Sequence, residues 1–199
     1  MNRWIWTAGM LLLGLSSASA AEEKPAVPGT PAFVACKLSD FRLLGQGPKA
    51  EYSSVAVEGQ PFDWAVRVRV AARTAQAYDV QILTPPTTVP LKKGEHVLAT
   101  LNVRCTDAPG GVGVFGARIQ ATAPSWTGIG STDVAVGKDW KRICIHGQAQ
   151  QDFDAGKYDL SLHLGTQAQT LELGGVTMVN LGPNADASRL PFTPITYPG

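Results

Sequence analysis

Trp126 stands in the segment Pro124-Ser125-Trp126-Thr127-Gly128, a turn-rich stretch with no alternating apolar neighbours to bury an indole. Elsewhere the chain carries Arg67, Arg69, Arg104 and Arg118, with Gln81, Asn102 and Gln120, at the polar positions of alternating runs. A flat aromatic face takes the C–H surface of a ligand, and guanidinium and amide groups are planar forks suited to adjacent hydroxyls. Together these residue types do recognition rather than bond breaking. Two readings of each remain: Trp126 is either an exposed platform or a loop plug in the core, and the polar set lines either a binding face or an ordinary solvated one. Arg104, Gln120 and Trp126 are the first candidates, followed by Arg118, Asn102, Gln81, Arg67 and Arg69.

Catalytic chemistry lacks its residues. Glycoside hydrolysis needs two carboxyl groups about 5–10 Å apart, one with a raised pKa. Here Asp107, Asp139, Asp152 and Asp154 fall in turns and Glu172 sits singly on a strand, so nothing marks a pair. His96, His146 and His163 are widely spaced and no His-x-His occurs, so no metal centre is expected. The nucleophile elbow Gly-x-Ser-x-Gly is missing, and the glycines at 113 and 116 introduce no helix that could cradle a phosphate. No catalytic residue, metal or cofactor is expected. Of Cys36, Cys105 and Cys144 at least one must stay unpaired, and without a C-x-x-C we read them as small buried apolar side chains rather than a Cys105–Cys144 bridge.

The elements positioning these residues read as strands. In 62–70, Phe62, Trp64, Val66, Val68 and Val70 alternate with Asp63, Ala65, Arg67 and Arg69; the first set is expected in the core. Val97, Ala99, Leu101, Val103 and Cys105 should face inward, opposite Thr100, Asn102 and Arg104. Phe115, Ala117 and Ile119 alternate with Arg118 and Gln120. Further runs cover 78–83, 140–146, 158–164 and 170–180, the last with an irregularity at Gly174-Gly175, and Trp140 is expected in the core. About eight or nine strands with turn-rich connections and no helical period give an all-β fold, an antiparallel β-sandwich of jelly-roll type. The polar candidates would line the polar side of one sheet.

Residues 1–20 have a cationic start at Arg3, an apolar run and an Ala18-Ser19-Ala20 ending, the pattern of a cleaved signal peptide. The apolar run is too short to span a bilayer. Residues 21–32 and 183–199 are small-residue and Pro-rich segments expected to be extended and poorly packed, leaving one domain over 33–182. Of 17 Lys plus Arg, Arg3 leaves with the signal, so 16 basic face 16 acidic residues and neither nucleic acid nor a membrane surface is an expected partner. Secreted or periplasmic location and a monomer are the expectations.

The order of several short motifs is familiar. Gly59-Gln60-Pro61-Phe62, Val80-Gln81-Ile82, Val89-Pro90-Leu91-Lys92-Lys93-Gly94-Glu95, Val136-Gly137-Lys138-Asp139-Trp140 and Leu171-Glu172-Leu173-Gly174-Gly175 follow one another as in the galactose-binding-like carbohydrate-binding modules of families 4, 9 and 22. The chain resembles the version that precedes family-10 glycoside hydrolases, and the closing Leu190-Pro191-Phe192-Thr193-Pro194 is similar to the segment entering their xylanase domain. The resemblance implies a non-catalytic module that binds xylan or a related β-glucan-class polysaccharide for an associated glycoside hydrolase. Many such modules carry an aspartate-rich turn, sometimes near calcium, where this chain has Gly174-Gly175, so the resemblance brings calcium only doubtfully. A contrasting reading is a structural or interaction β-sandwich that packs against a catalytic partner and binds no glycan.

Overall fold

The computed structural model describes residues 29–35 and 37–196; the expected signal peptide and Cys36 lie outside them. Strands are β1 (Thr30–Ala35), β2 (Arg42–Leu44), β3 (Ala50–Ala56), β4 (Trp64–Val70), β5 (Gln81–Leu83), β6 (His96–Asp107), β7 (Gly113–Ala121), β8 (Gly128–Val136), β9 (Lys141–Gln148), β10 (Tyr158–His163) and β11 (Gln169–Gly182). Among the described residues there is no α-helix, only short 3-10 turns. The protein is an all-β antiparallel sandwich of jelly-roll type. One sheet has the order β3-β4-β11-β6-β9 with β1 beside β11, and the other has the order β2-β5-β10-β7-β8.

The period-two rhythm explains the core between the sheets. From the first sheet come Val66, Val68, Val97, Leu101, Val103, Leu171 and Leu173; from the second come Ile82, Phe115, Ile119, Tyr158, Leu160 and Leu162. Buried aliphatic and aromatic side chains of this kind contribute roughly 1.5–3 kcal/mol each. Cys105 and Cys144 are both buried, and burial pushes the Cys105 thiol up from its ordinary pKa.

In β11 the alternation breaks and resumes. Leu171 and Leu173 face the core before Gly174-Gly175, and Val176 and Met178 face it afterwards. The change of parity is a β-bulge, marked by a register shift between Gly174 and Thr177. Gly175 sits there at φ +57°, where an L side chain would be strained.

Three sequence expectations need correction. Trp64 is 50% exposed, because it opens β4 beyond the end of the core. Phe62 precedes the strand and lies over Gly174 on the outer face, where a methyl on Gly174 would overlap its ring. Trp140 is only part-buried and stacks edge-to-face on Phe62 at 5.2 Å outside the sandwich. The terminal segments also differ. Thr30 pairs with Asn180 in β1–β11. Thr193 is buried: its hydroxyl accepts from the Cys144 amide at 2.9 Å and its carbonyl from Thr132 at 2.8 Å, so the tail is pinned between β8 and β9. The Pro residues that suggested a loose tail supply the extended backbone this docking uses.

Candidate functional site

Register across the five-stranded sheet assembles a continuous outward face. Directly opposed residues share a face, so one row runs Leu44, Gln81, His163, Gly116, Asp133, and the next runs Arg42, Leu83, Ser161, Arg118, Ser131. A third pairs Asp159 with Gln120 and Gly128. The alternation that sends Tyr158, Leu160 and Leu162 into the core sends Asp159, Ser161 and His163 to this face.

A cleft of about 480 Å3 lies on it, lined by Tyr78, Gln81, Gln120, Trp126 and His163. Tyr78 belongs to the 3-10 turn before β5 and Trp126 to the loop joining β7 to β8; they are 50% and 49% exposed. The two aromatics therefore flank a floor of amides and imidazole. Trp126 has φ +51°, a left-handed conformation that costs a bulky residue about 1–2 kcal/mol. With half its indole in solvent, Trp126 is not a plug in the core.

The floor groups differ in how far they are committed. Gln81 donates to the Tyr78 carbonyl at 2.7 Å and accepts from Ser161 at 3.3 Å, which fixes its amide plane. Arg118 pairs with Asp133 and donates to the Thr132 carbonyl, lying flat across Gly116. Such a pair carries no net charge into the cleft. His163 packs against Tyr78 at 6.1 Å, and burial, aided by Arg118 and opposed by Asp133, lowers its pKa, so the ring is neutral at neutral pH. A neutral imidazole offers one donor and one acceptor.

Beyond Gln120 the face continues into a second cleft of about 470 Å3, lined among others by Arg42, Thr84, Pro86, Thr122 and Asp159. Asp159 is 3% exposed and its Oδ1 has no hydrogen-bond partner. Burial pushes its pKa up to about 6, against the pull of Arg42.

The sequence-predicted residues split between two sheets. Trp126, Gln120, Gln81 and Arg118 come together on the five-stranded face. Arg67, Arg69, Asn102 and Arg104 lie on the six-stranded sheet, because β4 and β6 pair with β11 there; the expectation of one shared polar face is corrected. Arg67 and Arg104 oppose Glu172 from either side and both bond its carboxylate, at 2.6 and 2.7 Å. Arg104 also lies 4.8 Å over the Trp140 ring, and Arg69 pairs with Glu51. Alternation shows which side of a strand is polar, not which sheet the strand joins. Tyr78, His163 and Asp159 were missed as site residues, although the phase of 158–163 already sets Asp159 and His163 opposite its leucines. Among the described residues no group of three or more His, Cys, Asp or Glu side chains is placed to hold a metal ion.

No protein-family model matches the sequence, and no curated protein sequence matches it. Solved structures do share the fold. A family-4 carbohydrate-binding module superposes with TM-score 0.54 at 16% identity, over 70% of this chain and 86% of that one. The CBM22-1 xylan-binding domain of Paenibacillus barcinonensis Xyn10C gives 0.52 at 8% identity, over 79% and 98%. An arabinose-bound GH51 α-L-arabinofuranosidase gives 0.54 at 9% identity over 76% of this chain, which spans only 24% of that polypeptide. The chain thus has the sandwich architecture of carbohydrate-binding modules.

Proposed function

We propose that the five-stranded face binds a neutral β-linked polysaccharide of the xylan or β-glucan class, and that the protein is a non-catalytic carbohydrate-binding module. The observation that carries this reading is the pairing of two half-exposed aromatics, Tyr78 and Trp126, across a polar floor of Gln81, Gln120 and His163 in one cleft. Aromatic faces take the apolar faces of pyranose rings, and the amides and imidazole meet equatorial hydroxyls from the sides. The neutral Arg118–Asp133 pair suits an uncharged ligand. The second cleft, with its orphaned carboxylate oxygen, lets the same chain of sugars continue past Gln120.

Binding alone keeps an associated glycoside hydrolase close to its substrate by raising effective concentration. Export by residues 1–20 and action as a monomer in a secreted or periplasmic setting complete the proposal. The contrasting reading, a packing domain that binds no glycan, requires Trp126 buried or its face covered; its 49% exposure counts against that. A hydrolase reading would need a second uncommitted carboxylate beside Asp159; Asp40, which shares that cleft, accepts from the Lys37 amide at 2.9 Å.

Affinity electrophoresis through gels containing soluble xylan or mixed-linkage glucan tests the proposal. Retardation in at least one gel, lost in Trp126→Ala, is the expected result. Unretarded migration in both gels would remove the basis for the reading.

A further inference from the structure

The opposite sheet carries a second aromatic-lined cleft, and its chemistry differs. Arg142 opposes Asn102, which opposes Gly174, which opposes Ala65, giving one row across β9, β6, β11 and β4. The Phe62 ring covers Gly174 in this row, and beside it, where Gly175 has no side chain, a cleft of about 560 Å3 opens. Phe62 and Trp64 form its apolar wall; Thr100, Asn102, Arg142 and Thr177 supply polar groups. A methyl on Gly175 would come within 2.9 Å of the Asn102 amide and 3.0 Å of Phe62, so the bulge is what leaves the floor open.

Trp64 belongs to two clefts at once. A further cleft of about 430 Å3 lies beside it, lined by Lys37, Leu38, Ser39 and Ser54. The indole therefore stands as a fin between two depressions, half exposed, at a place where burial would have been the cheaper arrangement for an apolar ring. The first depression holds Arg142 and the second Lys37, and neither cation has a carboxylate partner among the described residues, whereas Arg67 and Arg104 nearby are both held by Glu172. Asp63 places one carboxylate at the rim of the first cleft. Asp40, whose carboxylate accepts from the Lys37 amide at 2.9 Å, brings a second, so the two clefts carry no excess of charge; what they offer, unlike the trough with its closed Arg118–Asp133 pair, is cations whose side chains are not held in an ion pair among the described residues.

We propose that the Trp64 end of the six-stranded sheet is a second binding site, for a carboxylate-bearing sugar chain such as a hexuronic acid oligomer. The ring lies on one face of the indole, the Asn102 amide meets its hydroxyls, and Arg142 takes the carboxylate as a planar two-point contact. Lys37 receives the next acidic residue across the fin. The site needs no chemistry at the five-stranded face, and it stands or falls separately from the reading given there.

The test uses the Trp126→Ala protein, in which the neutral trough is disabled, labelled with 15N and titrated with an oligomer of a hexuronic acid and, separately, with a neutral xylo-oligosaccharide. The expected result is a saturable shift of the Trp64 indole N–H with the acidic oligomer only, weakened at least fivefold by Arg142→Gln and by raising the salt concentration. Trp64→Ala should abolish binding, read from the Asn102 side-chain amide, and since Trp64 lies outside the core the variant should keep its backbone amide spectrum. If the neutral oligomer moves Trp64 equally, the charge selectivity is wrong. An unmoved Trp64 indole with every acidic oligomer overturns the site, while wild-type binding of the neutral sugar at Trp126 would leave the trough intact. Binding of an acidic protein but no uronic acid would mean the surface is a protein contact, and would also overturn the proposal.

Discussion

The Glu172 row of the six-stranded sheet and the trough of the five-stranded sheet use their outward polar groups in opposite ways. On the six-stranded sheet, Arg67, Glu172 and Arg104 occupy three adjacent strands and satisfy one another, with Trp140 laid against Arg104. On the five-stranded sheet, the equivalent rows leave the Gln120 side chain, the His163 ring and Asp159 Oδ1 without hydrogen-bond partners among the described residues, and they are flanked by aromatics that solvent can reach. A polar row that closes on itself stabilises the fold. A polar row left open is available to a ligand, and the fold bears the cost of keeping it so. Counting arginines therefore misleads about function; what separates the two rows is whether hydrogen-bonding capacity has already been spent.

Breaking the closed row should cost the most. Glu172 is fully buried between two guanidinium groups, so Glu172→Gln is expected to destabilise the protein by about 3 kcal/mol while leaving neutral-glycan affinity within twofold, read by urea denaturation and titration side by side. A loss of glycan binding at full folding would put the closed row in the site.

Asp159 gives the next effect, through pH. Its folded pKa of about 6 exceeds the ordinary 3.8, so the fold favours the protonated form. That contribution is complete below about pH 4 and is lost as pH rises through 6. Asp159→Asn should match wild type near pH 4 and exceed it by about 3 kcal/mol at pH 8. Equal pH profiles for the two proteins would show that the carboxylate is not held in the environment described.

Smaller changes sharpen the contrast. Gln120→Ala removes an uncommitted amide between the two clefts, and is expected to weaken glycan binding by roughly 1 kcal/mol, about fivefold, without moving the unfolding midpoint. Gly175→Ala places a side chain at φ +57°, and should lower stability by about 1 kcal/mol with neutral-glycan affinity unchanged. Calorimetric titration and thermal unfolding distinguish the two patterns.

How much of this was legible in the residues follows the same physics. Strands β6 and β7 are long, regularly alternating and flanked by turns, and their inward residues were readable one by one. The Gly174-Gly175 irregularity was also readable from the paired glycines, though the bulge and its change of parity came only with the structure. The edge strands β2 and β3 were not, because they bury too few side chains to impose a rhythm, as the largely exposed β3 shows. Trp64 was misplaced because period two fixes the side of a strand but not where the core beneath it ends. The candidate cleft was half legible: Trp126, Gln120, Gln81 and Arg118 were named and share one face, while the sheet partition that separates Arg104 from them depends on pairing between residues far apart in sequence. Tyr78 was read as opening a strand over 78–83, but it lies in the 3-10 turn before β5, where alternation does not set its direction.

The open trough itself is tested most directly by titrating a neutral β-1,4-linked xylo- or gluco-oligosaccharide into the wild-type protein, Trp126→Ala and Tyr78→Ala by calorimetry at neutral pH. Saturable binding by wild type, weakened roughly 30-fold or about 2 kcal/mol in Trp126→Ala and nearly as much in Tyr78→Ala, with unfolding midpoints unchanged, is the expected outcome. Binding that survives both substitutions undiminished, or no heat from any such sugar with wild type, would contradict it.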